Sequence, residues 1–261
     1  MKRAFIILLL FLGIQLGVSA LIGMLGGVLL AKGWIAPEGE LVTNPLFLSI
    51  ILCLSNALTI VILFLMGAVC REDLSTGRLR PKDYLFFVLM LLPALFWVNG
   101  LTELFQLSDE MAVHFDRLMR HPLGVFSIVL LGPLAEEMVF RAGIQRALLQ
   151  QGLMPWSAIA VSALLFGIVH GNPAQIPGAI LLGMLFGWVY WRTRSLSSSY
   201  FMHVLNNLIG VVTWILWGID ARLIDLTGPW LFGGLMFLSC FLLIVFILLF
   251  ERHMKNRNKS V

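Results

Sequence analysis

The sequence predicts an all-α integral membrane protein of about eight transmembrane helices with both termini cytoplasmic. Three observations carry this. The 261 residues are 59% hydrophobic and only 12% charged, about half the charge of a soluble domain. The mean hydropathy is +0.94. Apolar runs recur along the whole chain, each near the 20 or so helical residues that cross a hydrocarbon core. Soluble, disordered and collagen-like classes are thereby excluded. The net charge of +4 flanks the runs instead of forming a basic face, so no nucleic-acid partner is expected. Membrane lipids are the surroundings.

Taken in order between charged or Gly/Pro breaks, the spans fall near 4–31, 45–68, 84–106, 123–149, 153–170, 176–191, 199–219 and 229–250. The first opens like a signal peptide, with Lys2 and Arg3 before an apolar stretch and Val18-Ser19-Ala20 as a cleavage-like site. Its apolar run continues to Ala31, which favours an uncleaved span. Between the third and fourth spans, residues 107–122 alternate Asp109, Glu110, His114, Asp116, Arg117 and Arg120 with Met111, Val113, Phe115, Leu118 and Met119. That pattern suits an interfacial helix or an ordinary polar loop. Outside the spans or close to their ends, thirteen Lys and Arg fall on one side, among them Arg71, Arg78, Arg80, Arg146, Arg192 and the 252–259 tail, against Lys32, Arg117, Arg120 and Arg222 on the other. This bias places both termini in the cytoplasm. Trp34, Trp191, Tyr200 and Trp230 read as interfacial anchors. Gly13 with Gly17, Gly23 with Gly27, and Gly183 with Gly187 read as close helix packing. Cys53, Cys70 and Cys240 have neither disulfide nor metal spacing. With no repeat or low-complexity tract, residues 1–261 read as a single membrane domain.

A polar or ionisable side chain within a span is costly and therefore a functional candidate. Glu136, Glu137 and Arg141 lie in the fourth span, His170 closes the fifth, and His203, Asn206 and Asn207 lie in the seventh. Glu137 and Arg141 are four apart, so they share a helix face and can pair. Glu136 is then a carboxylate able to take a proton from water, with His170 the residue best suited to orient that water or share the proton. His203 and Asn207 also share a face and can donate hydrogen bonds to a developing oxyanion. Asn206, about 100° round the helix from Asn207, shares that face less well.

These stretches resemble the three motifs of the CPBP family, also called Abi: EExxxR at Glu136 to Arg141, FxxxH at Phe166 to His170, and HxxxN at His203 to Asn207. The family comprises CAAX-type prenyl endopeptidases, bacteriocin-processing enzymes and relatives, all multi-helix intramembrane proteases. The likeness covers roughly residues 120–215, the expected catalytic core. By that resemblance Glu136 activates the attacking water with His170, Glu137 and Arg141 hold the geometry, and His203 and Asn207 stabilise the oxyanion. The resemblance favours glutamate-type catalysis with no cofactor, whereas the alternative is zinc on Glu136, His170 and His203 with an open position for water. The substrate it implies is a peptide or membrane protein, lipidated in some relatives. A prokaryotic plasma membrane is the expected location. Competing readings are a non-enzymatic scaffold or bacteriocin-immunity protein, and a proton-coupled transporter, although the inverted repeat a transporter would carry is not visible.

Depth poses a difficulty. Glu136 and His170 both lie about 22–27 Å along their helices from the turn at Gln151-Gly152. His203 follows the Thr193–Ser197 turn, on that same side, by only about six residues. A simple up-and-down arrangement would separate it from His170. Either residues 171–178 turn back inside the protein, or the fourth and fifth helices project into the cytoplasm.

Overall fold

The computed structural model describes residues 2–33, 44–69, 73, 79–218 and 222–259, without the side chains of the last two. Trp34, Cys70, Arg71 and Arg78 lie outside the described residues. The described chain is helical and falls into ten helices: α1 Lys2–Ala31, α2 Pro45–Leu65, α3 Pro81–Phe105, α4 Ala112–Met119, α5 Pro122–Gln150, α6 Pro155–Ile168, α7 Ile176–Thr193, α8 Leu196–Trp217, α9 Leu223–Thr227 and α10 Pro229–Lys259. Each of the eight expected spans is a helix. Six of them, α1, α2, α3, α5, α8 and α10, are long and apolar enough to cross a membrane. The other two differ for a physical reason: α6 has 14 residues, a rise of about 21 Å, and α7 ends in Trp-Arg-Thr within its 18 residues. The chain is a multi-pass membrane protein.

Two compact units emerge, the first Met1–Cys70 with Met111–Met154, the second Arg71–Glu110 with Pro155–Val261. In the first, α1 runs unbroken from Lys2 to Ala31 and buries Ala4, Ile7, Phe11 and Ile14, a 3-4-3 spacing that makes one stripe. Its remaining faces expose Phe5, Leu9, Leu16, Leu21 and Leu25, as a lipid-facing helix should. The stripe meets α5, where Phe11 packs edge-on against Phe140 at 5.8 Å. Gly143 leaves room for Ile7, whose methyl carbons lie 3.1–3.2 Å from where a Cβ would stand. The end of α2 is closed by two arginines: Arg3 donates to the Gly67 carbonyl at 3.2 Å and Arg146 donates to that of Ala68. Cations there satisfy carbonyls of the turn that follows the helix and lie near its negative end. Residues 112–119 form the short helix α4. After it Arg120 pairs with Asp116 at 2.8 Å, and that hydrogen bond lifts the guanidinium above its ordinary pKa.

In the second unit α3 and α10 are joined along most of their length. Phe86 and Phe87 meet Phe250 at 5.8 Å each. Further along, Gly100 accommodates the Met236 side chain, whose end would have to move aside for a Cβ there. Buried Asp83, in the first turn of α3, accepts from His253 at 2.7 Å and from Arg257 at 2.9 Å. It thereby clamps the charged end of α10. The helices α6 and α7 form a tight hairpin whose closest approaches are at Gly167, against Ile180, and at Gly183, against Ala163 and Phe166. Gly183 thus has the packing role its spacing suggests. Gly13, Gly17, Gly23 and Gly27 do not: among the described residues nothing lies within 4 Å of a Cβ at any of them, so those stretches of α1 face open space.

Candidate functional site

In the first unit the EExxxR stretch sits on a helix that is not regular. Between Pro122 and Gln150 two segments, Ser127–Leu131 and Met138–Gln145, are wound as π-helix, with Glu136 and Glu137 on the α-helical stretch between them. Widened turns of this kind redirect side chains and gather at functional positions. Every residue from Met138 to Gln145 is buried. Arg141 Nε lies 3.2 Å from Glu137 Oε2 with both side chains fully buried, the pairing that the four-residue spacing predicts. Glu136 is half-buried, whereas Glu137 is fully buried.

Facing this helix is a set of polar residues that the sequence reading passed over. In α2, Ser49, Ser55, Asn56 and Thr59 are all buried. Ser55 and Thr59 turn their hydroxyls onto backbone carbonyls of their own helix. Asn56 instead accepts from Gln15 of α1 at 3.4 Å. Its amide nitrogen lies 3.6 Å from the space beside Gly132, and Gly124 leaves room for Ser49. A signal was present, since amides at Gln15 and Asn56 within apolar runs are costly. An amide costs less than a charge within an apolar run, so its signal is the weaker one.

The second unit resolves the question of depth for the two histidines. The helix α6 stops at Ile168, and the chain leaves it through turns in which His170 N–H donates to Gly167 and Gly171 N–H to Ile168, with Gly171 at φ +63°. A left-handed residue there favours glycine. The chain then folds back at once. Asn172 is fully buried and donates to Asp109 at 2.8 Å, while its carbonyl accepts from Gln175 and Ile176 to start α7. Ala174 N–H is tied to Ser108. With α6 about 21 Å long, His170 remains near the level of Phe166, one turn back.

Phe166 is the hub. His170 stands edge-on to its ring at 4.9 Å, and His203, from α8, meets the same ring edge-on at 5.7 Å. His203 is 4% exposed and backed by Phe186 at 5.4 Å. The phenylalanine of FxxxH therefore holds both histidines beside it, and Gly183 lets its ring come close to α7, with Cδ1 at 3.1 Å from a notional Cβ. His170 Nδ1 is 2.7 Å from the Phe166 carbonyl. An N–H at Nδ1 leaves Nε2 as the ring's acceptor, the tautomer that can take a proton. One residue before Asn207, Asn206 donates to the Asn207 side-chain oxygen at 2.6 Å. That bond turns the Asn207 NH2 the other way, as a donor. Asn206, set aside on helix geometry, thus orients its neighbour. Among the described residues no three His, Cys, Asp or Glu side chains gather into a set that could hold a metal ion.

Comparison with known proteins bears out the family resemblance. Residues 119–209 match the family described as type II CAAX prenyl endopeptidase Rce1-like, and that interval contains all three motifs. Over 105 residues the chain is 27% identical to "Putative membrane peptidase YdiL" of Bacillus subtilis, covering 40% of this chain and 43% of that protein. Over 184 residues it is 24% identical to the membrane-embedded CAAX protease MroQ of Staphylococcus aureus, covering 64% of this chain and 73% of that one. The match thus spans less than half the length of the first relative. No solved structure matches.

Proposed function

We propose that this chain, Rce1-like over residues 119–209, is an intramembrane endopeptidase that hydrolyses a peptide bond of a membrane-associated or lipidated substrate. The observation that carries the reading is the packing of His170 and His203 against one ring, that of Phe166. A polar pair held at such cost within apolar helices calls for a chemical use. In this mechanism Glu136 takes a proton from water while His170, fixed through Nδ1, orients the water through Nε2. The hydroxide attacks the scissile carbonyl carbon. His203 and the Asn207 amide donate to the oxyanion that forms. As the C–N bond breaks, the proton held by Glu136 passes to the leaving amine, and the products are a carboxylate and an amine. Glu137 and Arg141 touch no reacting atom and keep the π-wound backbone in place. Both termini lie in the cytoplasm, by the thirteen-to-four distribution of cations.

The test is single-turnover cleavage of a quenched peptide library, with and without a lipid group, by the purified chain in detergent. Glu136→Gln and His170→Ala should each abolish cleavage while leaving expression and membrane insertion unchanged. Loss in both variants with retention in chelator supports glutamate-activated water. Loss with chelator, restored by zinc, would replace it with a zinc mechanism. Cleavage that survives Glu136→Gln refutes glutamate-activated water, and none by the parent chain across the library refutes the protease reading and leaves the scaffold ahead.

A further inference from the structure

At one end of the second unit a cleft of about 650 Å³ opens between the start of α6, the end of α7 and the tail of α10. Three indoles line it, Trp156, Trp188 and Trp191, of which Trp188 is buried and Trp156 is 58% exposed. The sequence fixes its level in the membrane. Helix α10 is apolar up to Phe250 and then reads Glu251-Arg252-His253-Met254-Lys255, and α7 changes from apolar to Trp-Arg-Thr at the same end. Indoles beside such transitions mark the boundary between hydrocarbon and water. The cleft is therefore open at headgroup depth.

Its charges are unequal. Arg192 holds Glu251 in a two-pronged pair, Nε to Oε1 at 2.7 Å and Nη2 to Oε2 at 2.8 Å, so the single carboxylate is neutralised from within. Two cations remain, Arg252 and Lys255, both exposed, and among the described residues neither has an acidic partner. Three residues apart on α10, they lie on one face of the helix. The clamp of His253 and Arg257 on Asp83 fixes the rotation of that helix, which keeps this face toward the cleft. An apolar floor of indoles beneath a pair of uncommitted cations suits an amphiphile whose head is anionic. A small soluble anion would need no such floor.

We propose that this cleft binds the phosphate-bearing headgroup of an anionic phospholipid, with Arg252 and Lys255 on the phosphate and Trp156 and Trp191 against the glycerol and upper acyl chains. The full chain, purified in neutral detergent, is titrated with phosphatidylglycerol, with phosphatidylcholine of the same acyl chains, and with inorganic phosphate, and bound lipid is counted by native mass spectrometry. Phosphatidylglycerol should bind at least tenfold more tightly than phosphatidylcholine. The double variant Arg252→Gln/Lys255→Gln should loosen it about thirtyfold, at about fivefold per cation, and Arg252→Lys/Lys255→Arg should keep it. Trp156→Ala, an exposed position, should weaken both lipids together. Equal binding of the two lipids, or a glutamine double variant that binds as the parent does, overturns the proposal. Complete displacement of the lipid by millimolar inorganic phosphate also overturns it, by showing a site for a free anion.

Discussion

Arg141→Met removes the cation from a pair in which neither side chain has any solvent exposure. It leaves Glu137 buried and uncompensated at the last position before the π-wound segment Met138–Gln145, whose residues are all buried. Breaking a buried pair from one side costs about 3–5 kcal/mol, because the orphaned charge keeps its desolvation cost and loses its compensation. Replacing both members with apolar side chains of similar volume removes that penalty, so Glu137→Leu/Arg141→Met should return to within about 1–2 kcal/mol of the parent chain. The assay is reversible unfolding in mixed micelles by titration with a denaturing detergent, followed by helix content, for the parent, both single variants and the double. Expected is a coupling energy of at least about 2 kcal/mol between positions 137 and 141, above the 0.5 kcal/mol at which additivity ordinarily holds. Cleavage adds the functional half. If the pair only supports the backbone, the double variant should regain part of the activity that Arg141→Met loses. An Arg141→Met variant as stable as an exposed substitution, or a double variant no better than the single, would refute the assignment of Glu137 and Arg141 as a structural ion pair.

Other outcomes follow from the same geometry. Gly183→Val places a side chain where the Phe166 ring and the Ala163 backbone already stand within 3.1–3.3 Å; cleavage should fall at least tenfold with helix content unchanged, while Gly13→Val, in open space, leaves it as it was. Asn206→Ala frees the Asn207 amide from its 2.6 Å bond, and kcat should drop about tenfold at constant KM, against about 10²-fold or more for Asn207→Ala, which deletes the donor itself. Asp83→Asn weakens two charge-assisted bonds to His253 and Arg257 and should cost about 2–3 kcal/mol, read by the same unfolding titration, with cleavage at low temperature preserved.

The positions of the helices were legible because hydropathy depends only on which residues are apolar: each of the eight predicted runs contains a helix, and six of those helices are long and apolar enough to cross a membrane. What hydropathy could not give was the length of α6, since the run 153–170 stays apolar past the point where the helix stops. The stop is made by Gly171 at φ +63° and by a buried Asn172 tied to Asp109, a residue 63 positions earlier. A distant partner leaves no mark on local periodicity. The π-winding of α5 was hidden for a related reason. A regular period of 3.6 describes Glu137 and Arg141 well enough to pair them, and the extra residue per widened turn shows only when backbone hydrogen bonds are traced, as where Arg146 N–H reaches the carbonyl of Arg141.

The irregular winding of α5 lies beside the polar stripe of α2. A π-turn leaves some carbonyls of the helix without their usual partner, which hydrocarbon does not tolerate. In the first unit α5 is flanked by helices that bring hydroxyls and amides, Ser49, Ser55, Asn56 and Thr59 from α2 and Gln15 from α1, and the glycines at 124 and 132 let α2 come close. Asn56 is the only one of the α2 set whose side chain bonds to another helix in the described contacts, through Gln15. Asn56→Leu should therefore shift α5 toward regular winding and cost activity out of proportion to stability, while Ser55→Ala, whose hydroxyl is spent on its own helix, should cost neither. The comparison is read by cleavage rate and unfolding titration on the two variants together. Equal effects at positions 55 and 56 would show that α2 contributes bulk alone, and that the irregularity of α5 is held by its own residues.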